Sequence, residues 1–340
     1  MTRVTAFVFM SLGAAGTTSV SAQVPAYSVS HTYNIGGEGR WDYVIPDSAG
    51  KRLFIARTDR VAVIDEMSGK LLGEVTGIDG AHGTALVQRW GHGFATSGND
   101  GSIVMFDLKT LAVLGRTPAA KDADSIIYDP VSDRVFSFNG DAHSSTVVNP
   151  RDGALVANIP LDGKPEYGVT AGNGKVYVNI TDTSEIVEID SRKLMVARRW
   201  STGPCMQPVS MAIDTRNRRL FSGCRSGVLA VSDYSDGKVI ATVPIGTGVD
   251  GTAYDATSAN IFAANADGTL TVIHQDARDQ YRVLQSVPTV AGSRNLGLDP
   301  VSHRLFLPAA EFGAAAGDAR RAPLVPGSFR LLVVEGRAAR

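Results

Sequence analysis

Seven positions combine reactive side chains with an even spacing: Asp42, His82, Asp124, Glu166, Val209, Asp250 and Arg294. The steps between them are 40, 42, 42, 43, 41 and 44 residues, and each is the second residue of a similar short segment. Four are carboxylates, one an imidazole and one a guanidinium; only Val209 is the small apolar residue that a purely structural repeat would place there. Carboxylates gathered in one place repel one another when ionised, so such a set costs stability unless a cation, a proton or Arg294 compensates. The chemistry this allows is a divalent cation held by Asp42, His82, Asp124, Glu166 and Asp250, or a polar ligand whose carboxylate or phosphate meets Arg294. Oxygen donors alone suit Ca²⁺, Mg²⁺ or Mn²⁺, and participation of His82 moves the choice toward Zn²⁺ or another transition metal. His82, Glu166 and Arg294 are the candidates for proton transfer or charge stabilisation in a reaction. A plainer reading is that the same polar residues begin strands and satisfy nearby backbone N–H groups.

These residues need elements that bring them together. The segments beginning Trp41-Asp42-Tyr43-Val44, Ala81-His82-Gly83-Thr84 and Ala123-Asp124-Ser125-Ile126 recur in the four later repeats. Each is followed by a turn and a second apolar run, as in Arg52-Leu53-Phe54-Ile55-Ala56, Arg134-Val135-Phe136-Ser137-Phe138 and Arg219-Leu220-Phe221-Ser222. A third run ends in an acidic residue (Val61-Ala62-Val63-Ile64-Asp65, Ile186-Val187-Glu188-Ile189-Asp190), and a fourth follows turns such as Ser68-Gly69-Lys70. Short β-branched and aromatic runs bounded by Gly, Asp and Asn read as strands. A period near forty with four strands per repeat is the mark of a β-propeller. The expected fold is all-β: seven blades of four antiparallel strands. The last repeat lacks a fourth strand, and the spare segment Tyr27 to Ile35 is expected to supply it, closing the ring. The innermost strands then start at one mouth of a central channel, where the seven positions form a ring.

Loops after the second strands open at that mouth, and Asn99-Asp100, Asn139 to His143, Asn179, Asn265-Ala266-Asp267 and Glu311 are candidates to line it, though Asn and Asp are also ordinary turn residues. Trp41, beside Asp42, could stack on a ligand or serve as core. The segment 312–327, rich in Ala, Gly and Pro, interrupts the last blade as a lid or a solvated insertion. His31, His92, His274 and His303 have no metal-ligand spacing, and neither a G-x-S-x-G elbow nor a phosphate-binding glycine loop is present.

The period, the second-strand pattern and the turns resemble the YVTN-type, or YncE-like, propeller repeat family over residues 27 to 336. The resemblance implies a secreted or periplasmic seven-bladed propeller, some relatives binding ligands, nucleic acid or proteins and others sharing the fold with lactonases. It transfers no enzyme-defining motif, and six-bladed calcium-dependent lactonases differ in blade number.

Residues 1–22 carry one positive charge at Arg3, an apolar run and Ser19-Val20-Ser21-Ala22, the pattern of a signal peptide cleaved after Ala22. Residues 23–340 are then expected to form one propeller domain. In an oxidising compartment the two cysteines, Cys205 and Cys224, are expected to be bridged, the alternative being two buried thiols. With 33 basic and 34 acidic residues and no basic run, there is no electrostatic footprint for nucleic acid. No stretch of the mature chain reads as a membrane span. The expectation is an exported, periplasmic or secreted, monomeric propeller that binds a small polar ligand, a cation or a cell-envelope protein at its mouth. The alternative is a metal-dependent hydrolase or lyase of lactonase type acting on a lactone or sugar acid.

Overall fold

In the computed structural model, residues 1–2, 26–314 and 322–337 are described. The segment 1–22 read as a signal peptide lies, but for its first two residues, outside them, as does the middle of the 312–327 insertion. Seven separate four-stranded antiparallel sheets follow one another along the chain. Their innermost strands are Trp41–Asp47, Ala81–Val87, Ala123–Asp129, Pro165–Thr170, Pro208–Asp214, Val249–Asp255 and Gly297–Leu298. Each packs against the innermost strand of the next blade, and Gly297–Leu298 packs against Trp41–Asp47, so the blades form a closed ring. The one helical element among the described residues is a single 3₁₀ turn at Gln88–Trp90.

Closure is made as the repeat count requires. The N-terminal strand Ala26–Asn34 pairs antiparallel with Arg330–Arg337, from Ala26 opposite Arg337 to Asn34 opposite Arg330, and is the outermost strand of blade 7. Tyr27 anchors it: the ring is buried edge-on against Phe262 of blade 6, and its hydroxyl accepts a hydrogen bond from Asn260 Nδ2 at 2.9 Å. Joining the two ends of the chain in one blade removes the exposed edge that an open ring would present.

The apolar content sits between blades. Each of the seven interfaces has its own cluster, such as Phe54, Val63, Val104 and Phe106 between blades 1 and 2, or Leu305, Leu307, Phe262 and Leu270 between blades 7 and 6. The second and third strands are sandwiched on both faces and are nearly continuous β-branched and aromatic runs, whereas the outer strands alternate exposed and half-buried residues. The turn from first to second strand places at least one residue in the left-handed region in all seven blades: Lys51, Gly91, Asp133, Gly172 and Gly174, Arg218, Ala259 and His303. Before five of these, an aspartate ending the first strand (Asp47, Asp129, Asp214, Asp255, Asp299) accepts backbone N–H groups of the turn, which fixes the reversal at the face opposite the mouth.

Blade 7 departs from the repeat. The periodicity predicts a first strand through 293–299, but only Gly297–Leu298 pairs as strand. Gly292 has φ +86°, and Asn295 sends its amide across to Asp42 and Asp250. The backbone there bends to serve the ring of polar side chains instead of the ladder.

Candidate functional site: the polar mouth of the channel

Every innermost strand of blades 1 to 6 carries a register irregularity where the ring residue lies: between Trp41 and Val44, Ala81 and Thr84, Ala123 and Ile126, Pro165 and Gly168, Pro208 and Ser210, and Val249 and Gly251. A bulge adds an unpaired residue and re-aims its side chain. In this way Asp42, His82, Asp124, Glu166 and Asp250 come to line one cavity of about 610 Å³, joined by Arg294 of blade 7 and by Tyr43, Asn99, Asp122, Lys164, Asp182, Gln207 and Arg225. Val209 is fully buried, packs on Val249 and Ala263 and does not line the cavity, so blade 5 reaches it through Gln207 and Arg225 instead.

The polar groups form two clusters. On one side, His82 Nδ1 lies 2.7 Å from Asp42 Oδ2 and 3.8 Å from Asp124 Oδ1. Burial pulls the imidazole pKa down, but the hydrogen bond to Asp42 and the charges of Asp124, Asp42 and Asp122 outweigh it and push it up to about 9. Burial raises the Asp124 carboxyl well above the usual range against the pull of His82. Its Oδ1 atom is inaccessible and accepts no hydrogen bond among the described residues, a costly arrangement for a carboxylate oxygen. On the other side, Arg294 Nε is 3.1 Å from Asp250 Oδ2, and Arg225 is 3.8 Å from Glu166 Oε1. Burial first, then repulsion from Asp250, pushes the Glu166 carboxyl up to about 7, with Arg225 and Lys164 pulling the other way. Burial also raises Asp250 despite Arg294. Asn295 Nδ2 bridges the clusters, 3.3 Å from Asp42 and 3.4 Å from Asp250.

Two tyrosines adjoin the ring. Tyr43 and Tyr167, each one residue past a ring position, pack against each other with ring centroids 5.0 Å apart and planes inclined at 57°. Burial, then the charges of Asp124, Asp42, Glu166 and Asp250, drive the Tyr43 hydroxyl pKa well up, so this group stays a neutral donor facing four carboxylates. A loop over residues 36–40 forms part of the rim. The buried Arg57 guanidinium holds it by donating to the carbonyls of Glu38 at 2.7 Å, Gly39 at 3.0 Å and Arg40 at 3.2 Å, while lying 3.7 Å over the Phe329 ring.

Of the remaining candidates, Trp41 lines the cavity and packs tilted against Phe312 and Phe329, so it is both wall and core. Asn139 is fully buried and donates to Ser144 and Thr146 within its own blade. Asn179 is fully buried and ties blade 4 to blade 5 through Ser210 and Ser222. Neither reaches the mouth, because an amide ending a second strand satisfies neighbouring strands first. His143 sits exposed in its turn, outside the cavity lining, and Glu311 pairs with Arg330 at 3.0 Å on the exterior. Asn99 lines the cavity while bonded to Asp79. Cys205 and Cys224 form a buried disulfide with Cα atoms 5.5 Å apart, at the mouth end of blade 5. Sequence reasoning missed Tyr43, Tyr167, Lys164, Arg225 and Asn295. The first two and Asn295 share a signal that was available: each directly follows a ring position.

The donors of Asp42, His82 and Asp124 all lie within 4.8 Å of one another. Two carboxylate oxygens and one imidazole nitrogen in this grouping make up a candidate three-ligand set. Any ion bound there must displace the proton of His82, which makes binding stronger at higher pH.

No protein-family model matches the chain, and no curated protein sequence matches it. Solved structures do resemble it. The U3-55K structure superposes with a TM-score of 0.76 at 11% identity, covering 90% of this chain and 99% of that one. The RRP9 WD40 repeats give 0.75 at 11%, covering 92% and 99%. Hydrazine synthase of Kuenenia stuttgartiensis gives 0.68 at 12%, covering 81% and 92%. At such identities the likeness is one of fold, and the fold it shares with them is the seven-bladed β-propeller.

Proposed function

We propose that the mouth of the channel binds a small polar ligand, together with a divalent cation seated on Asp42, His82 and Asp124. The observation that carries this reading is the buried Oδ1 of Asp124, which accepts no hydrogen bond among the described residues and lies 3.8 Å from His82, beside the Asp42–His82 pair. A cation gives that oxygen a directly bonded partner, and Arg294, Lys164 and Arg225 across the cavity offer donors to the anionic or hydroxyl groups of a ligand. Calorimetric titration of EDTA-treated protein with Mn²⁺, Zn²⁺, Ca²⁺ and Mg²⁺ tests it. One ion per chain is expected, with an enthalpy that varies with the buffer because His82 releases its proton, and with loss of binding in Asp124→Asn. Absence of binding at millimolar ion defeats the reading.

A second reading, a metal-dependent hydrolase or lyase acting on a lactone or sugar acid, is favoured by one observation. Glu166 has a pKa of about 7, suited to a general base at neutral pH, and faces the same cavity. In hydrolysis, Glu166 would take the proton of a water attacking the lactone carbonyl and return it to the ring oxygen as the ester C–O bond breaks. Lactone turnover abolished by Glu166→Gln, with cation binding retained, is the outcome expected of it.

The same proposal includes export, monomeric function in the periplasm or outside the cell, a cell-envelope protein as a further partner, and kinship with the YVTN-type repeats. Support comes from the composition of residues 1–22, the Cys205–Cys224 bridge and the strand pattern. Among the described residues no helix is long and apolar enough to cross a membrane.

A further inference from the structure

We infer that the ligand taken at the mouth carries both an aromatic ring and a carboxylate, the ring entering a side hollow walled by the Trp41–Phe312 pair and the carboxylate meeting Arg294. The inference rests on the proposed binding role of the mouth and names the class of ligand.

The hollow, of about 260 Å³, adjoins the mouth and shares Arg40, Trp41 and Arg294 with it. Its volume is just below that of pockets that hold whole drug-sized molecules, which suits a ring-sized fragment of a larger ligand. Two aromatic side chains line it, Trp41 and Phe312, packed on one another with centroids 6.0 Å apart and planes inclined at 46°, so that together they give the hollow an aromatic wall. Small residues leave the space open. Gly292 is required: it has φ +86°, and a Cβ there would come within 2.8 Å of Phe312 Cε2, displacing that wall. Ala266 contributes only a methyl.

The charge of the hollow differs from that of the mouth. Among the described residues the mouth is lined by six carboxylates, whereas Arg294 brings a guanidinium to the hollow. Arg294 is held in place through Nε by Asp250 at 3.1 Å and makes no other ion pair among the described residues, so its fork is oriented where hollow and mouth meet. A planar guanidinium favours a carboxylate in bidentate geometry, and flat aromatic faces favour a ring. An anionic aryl compound satisfies both at once. An aromatic amine would set its charge against Arg294.

The test is calorimetry of the full protein with benzoate, phenylacetate and indole-3-acetate against acetate and benzylamine, alongside Mn²⁺ titration. The aryl acids are expected to bind at least about tenfold more tightly than acetate. Ala266→Leu, which fills the hollow, is expected to remove that advantage while leaving acetate and Mn²⁺ binding in place. Phe312→Ala, which removes one wall, is expected to do the same, and serves if the leucine variant fails to fold. Arg294→Gln is expected to weaken every carboxylate by about tenfold or more. Acetate and Mn²⁺ binding without an aryl preference, benzylamine binding more tightly than phenylacetate, or an aryl preference untouched by both hollow variants overturns this inference alone. Binding of neither Mn²⁺ nor any carboxylate overturns the proposed role of the mouth as well.

Discussion

Replacing Glu166 with glutamine isolates the electrostatic cost that the fold carries at its mouth. The side chain is 12% exposed, and its carboxyl sits at about 7 in the folded protein against an ordinary 4.5. At 1.36 kcal/mol per pKa unit the difference is worth about 3 kcal/mol, and residual solvent and Arg225 reduce it to about 2 kcal/mol. The sign follows from proton counts. Between pH 4.5 and 7 the native state keeps a Glu166 proton that the unfolded chain has released, so the Glu166 contribution to the free energy of unfolding falls as pH rises through this window and is flat above it, where His82, raised to about 9, continues the fall. Asp124 and Asp250, also raised, act in the same direction. Urea unfolding in EDTA-containing buffers from pH 4.5 to 8 should therefore show the wild type losing stability with rising pH. Glu166→Gln should lose about 2 kcal/mol less across the same range and be the more stable protein at pH 8. Parallel pH profiles for the two proteins, or a wild type that gains stability over this interval, would refute the electrostatic account of the ring.

Three further outcomes are expected. Removing the disulfide with the Cys205→Ser, Cys224→Ser pair should cost about 3 kcal/mol in denaturant unfolding, from the loop closed by a separation of 19 residues. Deleting 26–34 strips blade 7 of its outer strand and Tyr27 of its seat against Phe262, and should replace one cooperative transition with a broad one at lower denaturant, read by circular dichroism. Ala259→Gly should raise stability by about 0.5–1 kcal/mol, because alanine at φ 53° is strained by more than the added glycine entropy costs.

The fold was legible because each blade repeats a pattern of local chemistry: apolar second strands, acidic turn residues and a period near forty. The missing fourth strand of the last repeat pointed to Tyr27–Ile35, and the observed pairing of Ala26–Asn34 with Arg330–Arg337 is that strand. The ring positions were legible for the same reason, since equivalent places in a closed repeat must converge. Contacts around the ring were not. That Asp42 touches His82 while Asp250 touches Arg294 depends on side-chain reach across bulges, which a one-dimensional period does not encode. Lys164 and Arg225 enter from rim positions outside the aligned segments, and Asn139 and Asn179 turn inward because burial makes an unpaired amide costly. Blade 7 lost the regular strand expected at 293–299 because Asn295 bends toward two carboxylates.

Whether Asp42, His82 and Asp124 seat a cation, as proposed, or merely begin strands is decided by anomalous diffraction from crystals grown with MnCl₂. One peak is expected at the mouth, about 2.0–2.4 Å from a carboxylate oxygen of Asp42, a carboxylate oxygen of Asp124 and a ring nitrogen of His82. A mouth with no anomalous density, in which Asp124 Oδ1 is hydrogen-bonded to ordered water and His82 still donates to Asp42, would contradict it.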